Sequence, residues 1–333
     1  MSSIHIIAEA GTNHNADLQQ AECLVDVAHE AGADSVKFQI IYPEGLYLPK
    51  LFTNGKLSDN DVFHKRKAGM LSDENYRDLA AYCREKGIEF SGSIFDRRGL
   101  DLLDNLDVPY FKIASCDLNN SPFLMEVAER KRKMIVSTGM AALGEIERAV
   151  RDISSMGNND IVLMHCVSVY PSKLEEMNLT FIETLHSAFG LPIGLSDHTE
   201  KSLAAAIAVA KGVSWIEKHF TLDRTLPGFD HSYAMEPSDI KVYVNDIRGS
   251  EIACQRKVNK IGEAEGIVKQ RARRALYAAR NLEIGEVIDR QDILVVRPEG
   301  ALSPNDLALI IGKRLSHSVQ QYEPLSLGCF QFE

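Results

Sequence analysis

Gly194-Leu195-Ser196-Asp197-His198-Thr199, followed one helix later by Glu217-Lys218-His219-Phe220, is the stretch whose reading decides the fold. Each is a short apolar run that closes on a histidine, and a helical segment separates the two. If both runs are parallel strands of one sheet, His198 and His219 emerge side by side at the same edge. Such a pair offers a metal two protein ligands and leaves positions open, which is how a catalytic rather than a structural metal is held. The alternative is two unrelated histidines, one in a loop and one closing a buried strand.

Outward from this stretch the same unit recurs: apolar strand, polar loop, amphipathic helix, Gly or Pro stop. Ile4 to Ala8, Asp34 to Gln39, Ile88 to Ser93 and Pro109 to Ile113 read as strands, as do Met134 to Ser137, Ile161 to His165, Pro192 to Leu195 and Val213 to Glu217. Helical spacing fills the gaps, as in Leu18 to Ala31, which ends at Gly32, and in Asp73 to Lys86. Alternating strand and helix demands a parallel sheet, because each crossover returns the chain to the same starting edge. Eight such units predict a closed (β/α)8 TIM barrel over residues 1–258. No G-x-G-x-x-G follows the first strand, which argues against a dinucleotide-binding sheet.

A barrel places its chemistry just after each strand. Glu9, Lys37, Gln39, Ser93, Lys112, Ser115 and Asp117 all fall at such ends, as do Ser168, Tyr170, Ser196, His198, Glu217 and His219. Lysines inside apolar strands are costly to bury without a partner. Lys37 and Lys112 therefore predict an anionic ligand at the barrel mouth. Pro227-Gly228-Phe229-Asp230-His231 reads as a loop folding back over that mouth, and Lys65-Arg66-Lys67 as a solvated face.

A net charge of −10 excludes a broad nucleic-acid-binding face but permits local cations around a small anion. Six dispersed cysteines without CxxC fit a cytoplasmic protein, and a strand within the first ten residues leaves no room for a signal peptide. No apolar run approaches the roughly 20 residues that span a membrane. Residues 259–270, polar and glycine-punctuated, read as a linker. Residues 271–333 change texture to short runs divided by Gly285, Pro298, Gly300 and Pro304, which predicts a small, mostly β domain.

Glu9-Ala10-Gly11-Thr12-Asn13-His14, Lys37-Phe38-Gln39, Lys112-Ile113-Ala114-Ser115, Ser137-Thr138-Gly139-Met140, His165-Cys166, Tyr170-Pro171 and Pro227-Gly228, with the opening stretch, closely resemble the sialic acid synthase family. The tail around Ala275 to Arg297 resembles that family's antifreeze-like (SAF) domain. The resemblance implies condensation of phosphoenolpyruvate with an N-acylated mannosamine-like or deoxy-diamino hexose, giving a nine-carbon 3-deoxy-2-keto acid and phosphate. It implies that His198 and His219 hold a divalent metal, usually manganese, with magnesium or cobalt as alternatives. Phosphoenolpyruvate would meet Lys37, Lys112, Ser115, Ser196 and Tyr170, with Ser93 and Ser168 standing where relatives often carry Thr and Asn. The sugar would meet Glu9, Gln39, Asp117 and Asp230. A domain-swapped homodimer would bring Arg297 to the sugar's N-acyl group. Glu9 and a metal-bound water are the candidates for proton transfer.

Two other readings stay open on the residues alone. Lys37 or Lys112 could be a Schiff-base lysine of an aldolase, or the chain could be a synthase acting on a phosphorylated sugar. A non-catalytic carbohydrate- or ice-binding protein that uses the small domain is the third.

Overall fold

The computed structural model describes residues 3–255 and 261–332. The chain divides into two compact units, Met1–Gln255 and Arg256–Glu333. In the first, β1 (His5–Gly11), β2 (Ser35–Ile40), β3 (Glu89–Ile94), β4 (Tyr110–Ile113), β5 (Lys133–Ser137), β6 (Ile161–Cys166), β7 (Ile193–Asp197) and β8 (Trp215–His219) close into one barrel. Every neighbouring pair is parallel, and β8 returns to pair with β1. The predicted (β/α)8 architecture is therefore the observed one.

The helices form where the sequence supplies both periodicity and caps. Leu18–Ala31 starts at Asp17, whose carboxylate accepts from the Gln19 and Gln20 amides, and buries Ala21, Leu24, Val25 and Ala28 against the strands. Ser72 and Asn75 cap Asp73–Lys86 reciprocally. The outer faces of the strands and inner faces of the helices make one apolar core. A separate layer lies inside the barrel: Ile7, Tyr110, Ile135, Val162 and Met164, with Trp215 packed on it. It forms the floor beneath the polar mouth.

Two strand ends run further than apolar content predicts. β7 and β8 continue through Ser196-Asp197 and Lys218-His219, and Glu217 and Lys218 stay in register with Ser196 and Asp197. These polar residues persist in the ladder because they satisfy one another: Lys218 pairs with Asp197 at 3.3 Å, and Tyr243 donates to the same carboxylate at 2.8 Å. An exposed hairpin, Lys50–Thr53 with Lys56–Asp59, and the helix Asp61–Ala68 were not anticipated.

In the second unit, β9 (Ala275–Ala278) pairs antiparallel with β10 (Ile293–Val296), and β11 (Arg314–Leu315) with β12 (Phe330–Gln331). Leu276, Ile288, Ile293, Leu315, Leu325 and Phe330 are among its buried core, as a small β domain requires. Of the stretch 259–270 expected as a linker, residues 259 and 260 lie outside the described residues, as does the expected barrel limit at 258. Glu263–Ala272 is a helix, with acids in its first turn and Lys269 and Arg271 in its last, the arrangement that suits a helix dipole.

Candidate active site

Side chains at alternate strand positions share the barrel interior. In register this stacks Glu9 beside Lys37 on one side and His219 on the other, Gln39 beside Ser93, Ser93 beside Lys112, and Ser196 beside Glu217. All of them line a cavity of about 440 Å³ at the C-terminal ends of the strands. Ser115, Ser168, Tyr170 and His198 join its wall from the loops that follow β4, β6 and β7.

The centre of the cavity is a buried group of two cations and two acids. Lys37 touches Glu9, lies 3.6 Å from Glu217, and donates to Ser93 Oγ at 2.7 Å. Lys112 lies 3.4 Å from Glu217 and donates to Ser137 Oγ at 2.8 Å. Burial would push Glu217 up, but Lys112 and Lys37 outweigh it and hold its carboxyl well below the usual carboxylate range. Burial works against the Lys37 ammonium too, yet Glu217 and Glu9 raise its pKa above the ordinary lysine value. Glu9 behaves differently: burial pushes it up to about 7, Lys37 opposes this, and the charge on Glu217 adds to it. Glu217 is thus the permanent counter-charge of both lysines, and Glu9 is poised to change protonation near neutrality.

The His198 and His219 rings stand 5.4 Å apart, centre to centre. His198 Nδ1 lies 2.7 Å from the Val167 carbonyl, which can only accept. Nδ1 therefore carries a proton, which leaves Nε2 as the nitrogen available to a ligand. Burial lowers the His219 pKa to about 4, so this ring is neutral, and its buried Nδ1 has no hydrogen-bond partner. Two imidazoles side by side, with His198 Nε2 and the unpartnered His219 Nδ1 left over, fit a divalent metal. Among the described residues no group of three or more His, Cys, Asp or Glu is arranged to hold one. Any such ion would take its remaining ligands from water and substrate, the open arrangement of a Lewis-acid site.

Hydroxyls crowd the side of the cavity around Lys112. The Gly139 amide donates to Ser115 Oγ at 3.0 Å. A Cβ at Gly139 would stand 2.3 Å from Ser168 Oγ and 2.8 Å from Ser115 Oγ, so only glycine lets both hydroxyls close in. Tyr170 caps the histidines, its ring centre 4.1 Å from that of His198.

Three expected residues stand apart from this wall. Asp117 is buried in the turn after β4, where the Cys116 thiol donates to it at 3.5 Å. Asp230 is also buried, close enough to raise the His219 pKa, and its Oδ2 is unpartnered; it would lie 2.6 Å from a Cβ at Gly11. Arg297 belongs to the second unit, exposed at the end of β10. Three other side chains take roles that the sequence did not assign them. Glu217 ties both lysines together, and Ser137 holds Lys112. Arg66, read as part of a solvated face, instead lines the cavity and stacks on Phe229 at 3.6 Å. Glu217 was detectable: a charge inside an apolar strand is the same signal that singled out the lysines.

Comparison with known proteins identifies the family. The profile of the NeuB family matches residues 24–259, and that of the SAF domain residues 273–330. The N,N'-diacetyllegionaminic acid synthase of Legionella pneumophila is 37% identical over 321 residues, 93% of this chain and 90% of its own. The spore coat polysaccharide biosynthesis protein SpsE of Bacillus subtilis is 38% identical over 312 residues, 89% of this chain and 84% of its own. The crystal structure of N-acetylneuraminic acid synthetase from Leptospira borgpetersenii, in complex with citrate, shares 33% identity and a TM-score of 0.71, covering 80% of this chain and 91% of that one. With both profiles matched and the barrel's polar mouth assembled at the expected strand ends, the chain belongs to the NeuB family and carries a SAF domain.

Proposed function

We propose that the protein is a nonulosonate synthase. It joins phosphoenolpyruvate to the open-chain aldehyde of an N-acylated mannosamine-like or deoxy-diamino hexose, and releases a nine-carbon 3-deoxy-2-keto acid and phosphate. The observation that carries this reading is the convergence of Lys37 and Lys112 on one buried carboxylate, Glu217, in the same cavity as His198 and His219. The lysines supply fixed positive charge for the carboxylate and phosphate of the substrate, and Ser93, Ser115, Ser168, Ser196 and Tyr170 supply hydroxyls that orient it. Glu9, Gln39, Asp117 and Asp230 are the groups offered to the sugar.

In the reaction the enol C3 forms a bond to the aldehyde carbon, whose oxygen takes up a proton. Water then adds at C2 and gives up one proton; as the C2–O bond to phosphate breaks, the new hydroxyl becomes the C2 carbonyl and its proton leaves with the phosphate. His198 and His219 would hold a divalent ion, manganese, magnesium or cobalt, which when bound supplies Lewis-acid polarisation of the sugar's carbonyl oxygen. Glu9, near half-protonation at neutral pH and held against Lys37, is placed to exchange a proton with the reacting groups.

A Schiff-base aldolase is disfavoured, because its lysine must be neutral near pH 7. Two carboxylates push Lys37 the other way, and Lys112 is paired with Glu217. The reading extends to a homodimer with exchanged small domains in which Arg297 contacts the N-acyl group, supported by the family resemblance and the exposure of Arg297. Mixing Arg297→Ala and His219→Ala protomers restores activity if Arg297 acts in trans. A cytoplasmic setting, supported by six free cysteines, completes the proposal; among the described residues no helix is long and apolar enough to cross a membrane.

The test is phosphate release from phosphoenolpyruvate by purified protein with manganese and a panel of N-acylated hexosamines, with product masses read by mass spectrometry. Acceptor-dependent, EDTA-sensitive release is expected. No consumption of phosphoenolpyruvate across the panel refutes the synthase, and borohydride trapping with pyruvate replaces it with the aldolase.

A further inference from the structure

One device seats both histidines. The Ser172 amide donates to the His198 carbonyl at 2.9 Å, and the Met235 amide donates to the His219 carbonyl at 3.0 Å. In each returning segment the residue two positions earlier is a tyrosine, Tyr170 or Tyr233. The Tyr170 ring centre lies 4.1 Å from that of His198, and the Tyr233 ring stands edge to face against His219 at 5.4 Å and 75°. The tyrosines meet each other at 5.0 Å, and Tyr170 reaches His219 as well, at 5.8 Å and 90°. The four rings therefore form one closed cluster.

The histidines differ in what else holds them. A metal-binding imidazole is normally aimed by a hydrogen bond from its second ring nitrogen. His198 has that bond, to the Val167 carbonyl. His219 has no counterpart to it among the described residues. Without one, the ring at the end of β8 is kept from turning about its side-chain bonds by its aromatic neighbours. Tyr233 is itself anchored for this task, because the Thr221 amide donates to the Met235 carbonyl at 2.8 Å and closes a second bond between the returning segment and the end of β8.

We propose that Tyr233 is a positioning residue of the metal centre, its ring fixing the His219 imidazole as the hydrogen bond to Val167 fixes that of His198. The inference rests on the reading of His198 and His219 as metal ligands and deepens it. The contact with His219 is ring to ring, so phenylalanine should serve in place of tyrosine and an aliphatic side chain should not.

The experiment titrates manganese without substrates, following the electron paramagnetic resonance signal of the free ion. Wild type, Tyr233→Phe, Tyr233→Leu, His219→Ala and the double variant Tyr233→Leu with His219→Ala are compared. Tyr233→Leu should weaken binding about tenfold or more and Tyr233→Phe less than about threefold, while Tyr233→Leu should add less than about twofold once His219 is replaced. That last comparison separates an effect passed through His219 from a general loosening of the fold, which would weaken binding equally in both backgrounds. With cobalt(II), the visible absorption of the bound ion should change in Tyr233→Leu and not in Tyr233→Phe. The inference is overturned if Tyr233→Leu binds manganese as tightly as wild type, if Tyr233→Phe is as impaired as Tyr233→Leu, or if the loss is the same with and without His219. A wild type that binds no manganese overturns the metal reading together with this inference, whereas the synthase reading is decided separately by acceptor-dependent phosphate release.

Discussion

Glu217→Gln tests whether one carboxylate organises the cavity. The substitution keeps shape and removes a single negative charge. The carboxylate oxygens lie 3.4 Å from Lys112 and 3.6 Å from Lys37. At an effective dielectric of about 20 each contact contributes about 5 kcal/mol of attraction, so about 10 kcal/mol is removed. The cost of burying the carboxylate, several kcal/mol, is relieved in the same step, and the loss typical of breaking a buried pair is about 3–5 kcal/mol. Lys37 keeps Glu9, whereas Lys112 keeps only the Ser137 hydroxyl, so the low end of that range is not expected. For a unit of this size the midpoint should fall by about 10–20 °C. An anion that replaces the lost charge should restore much of it, so phosphoenolpyruvate should stabilise the variant more than wild type. Differential scanning calorimetry at pH 7.5, with and without phosphoenolpyruvate and without metal, reads both effects. A midpoint within about 2 °C of wild type, together with an unchanged shift on adding phosphoenolpyruvate, would show that Glu217 is not the counter-charge of the lysines.

Glu9 sets a pH dependence. Its folded pKa of about 7 lies above the ordinary 4.5, so its contribution is fully present below about pH 4.5 and lost as pH rises through 7. Facing Lys37, Lys112 and Glu217, Glu9→Gln should therefore gain on wild type by at most about 3 kcal/mol between pH 5 and 8.5 in urea titrations; parallel stability curves would count against it. EDTA should inactivate the wild type and manganese restore it, while His198→Ala and His219→Ala should each weaken manganese binding by calorimetry at least about tenfold. Unchanged affinity in both variants would remove the histidines from the metal site. Gly139→Ala, which thrusts a methyl between the Ser115 and Ser168 hydroxyls, should raise the KM for phosphoenolpyruvate about tenfold or more and leave the sugar KM less affected; equal KM values for phosphoenolpyruvate in variant and wild type would clear those hydroxyls of a role.

The fold was legible because each strand is an apolar run short enough to be nothing else and each helix carries its own stop, such as Gly32 and Gly87. Residues at strand ends were legible for the same reason, since the barrel gives every strand one chemical end. What stayed hidden depended on register between distant strands. Nothing local to Glu217 reveals that Lys37 and Lys112 flank it; only the closed ladder does. Arg66 looked like one member of a solvated basic run because Phe229, on which it stacks, comes from the loop after β8. The hairpin was different. Asn54-Gly55, both at positive φ, is a plain two-residue turn signal between Leu51, Phe52 and Leu57, and its strands were overlooked because both are exposed. The helix Glu263–Ala272 hid behind Gly262 and Gly266, which read as linker punctuation while the placement of charge favoured helix.

The apolar floor of Ile7, Tyr110, Ile135, Val162 and Met164 has a kinetic meaning. A chamber stoppered below has a single doorway, so reactants and products must share it. Under the synthase reading, the molecule seated deepest, against Lys37 and Lys112, has to enter before the sugar blocks its path. Turnover should then follow a compulsory order, with phosphoenolpyruvate first, and a non-reactive sugar should trap bound phosphoenolpyruvate rather than compete with it.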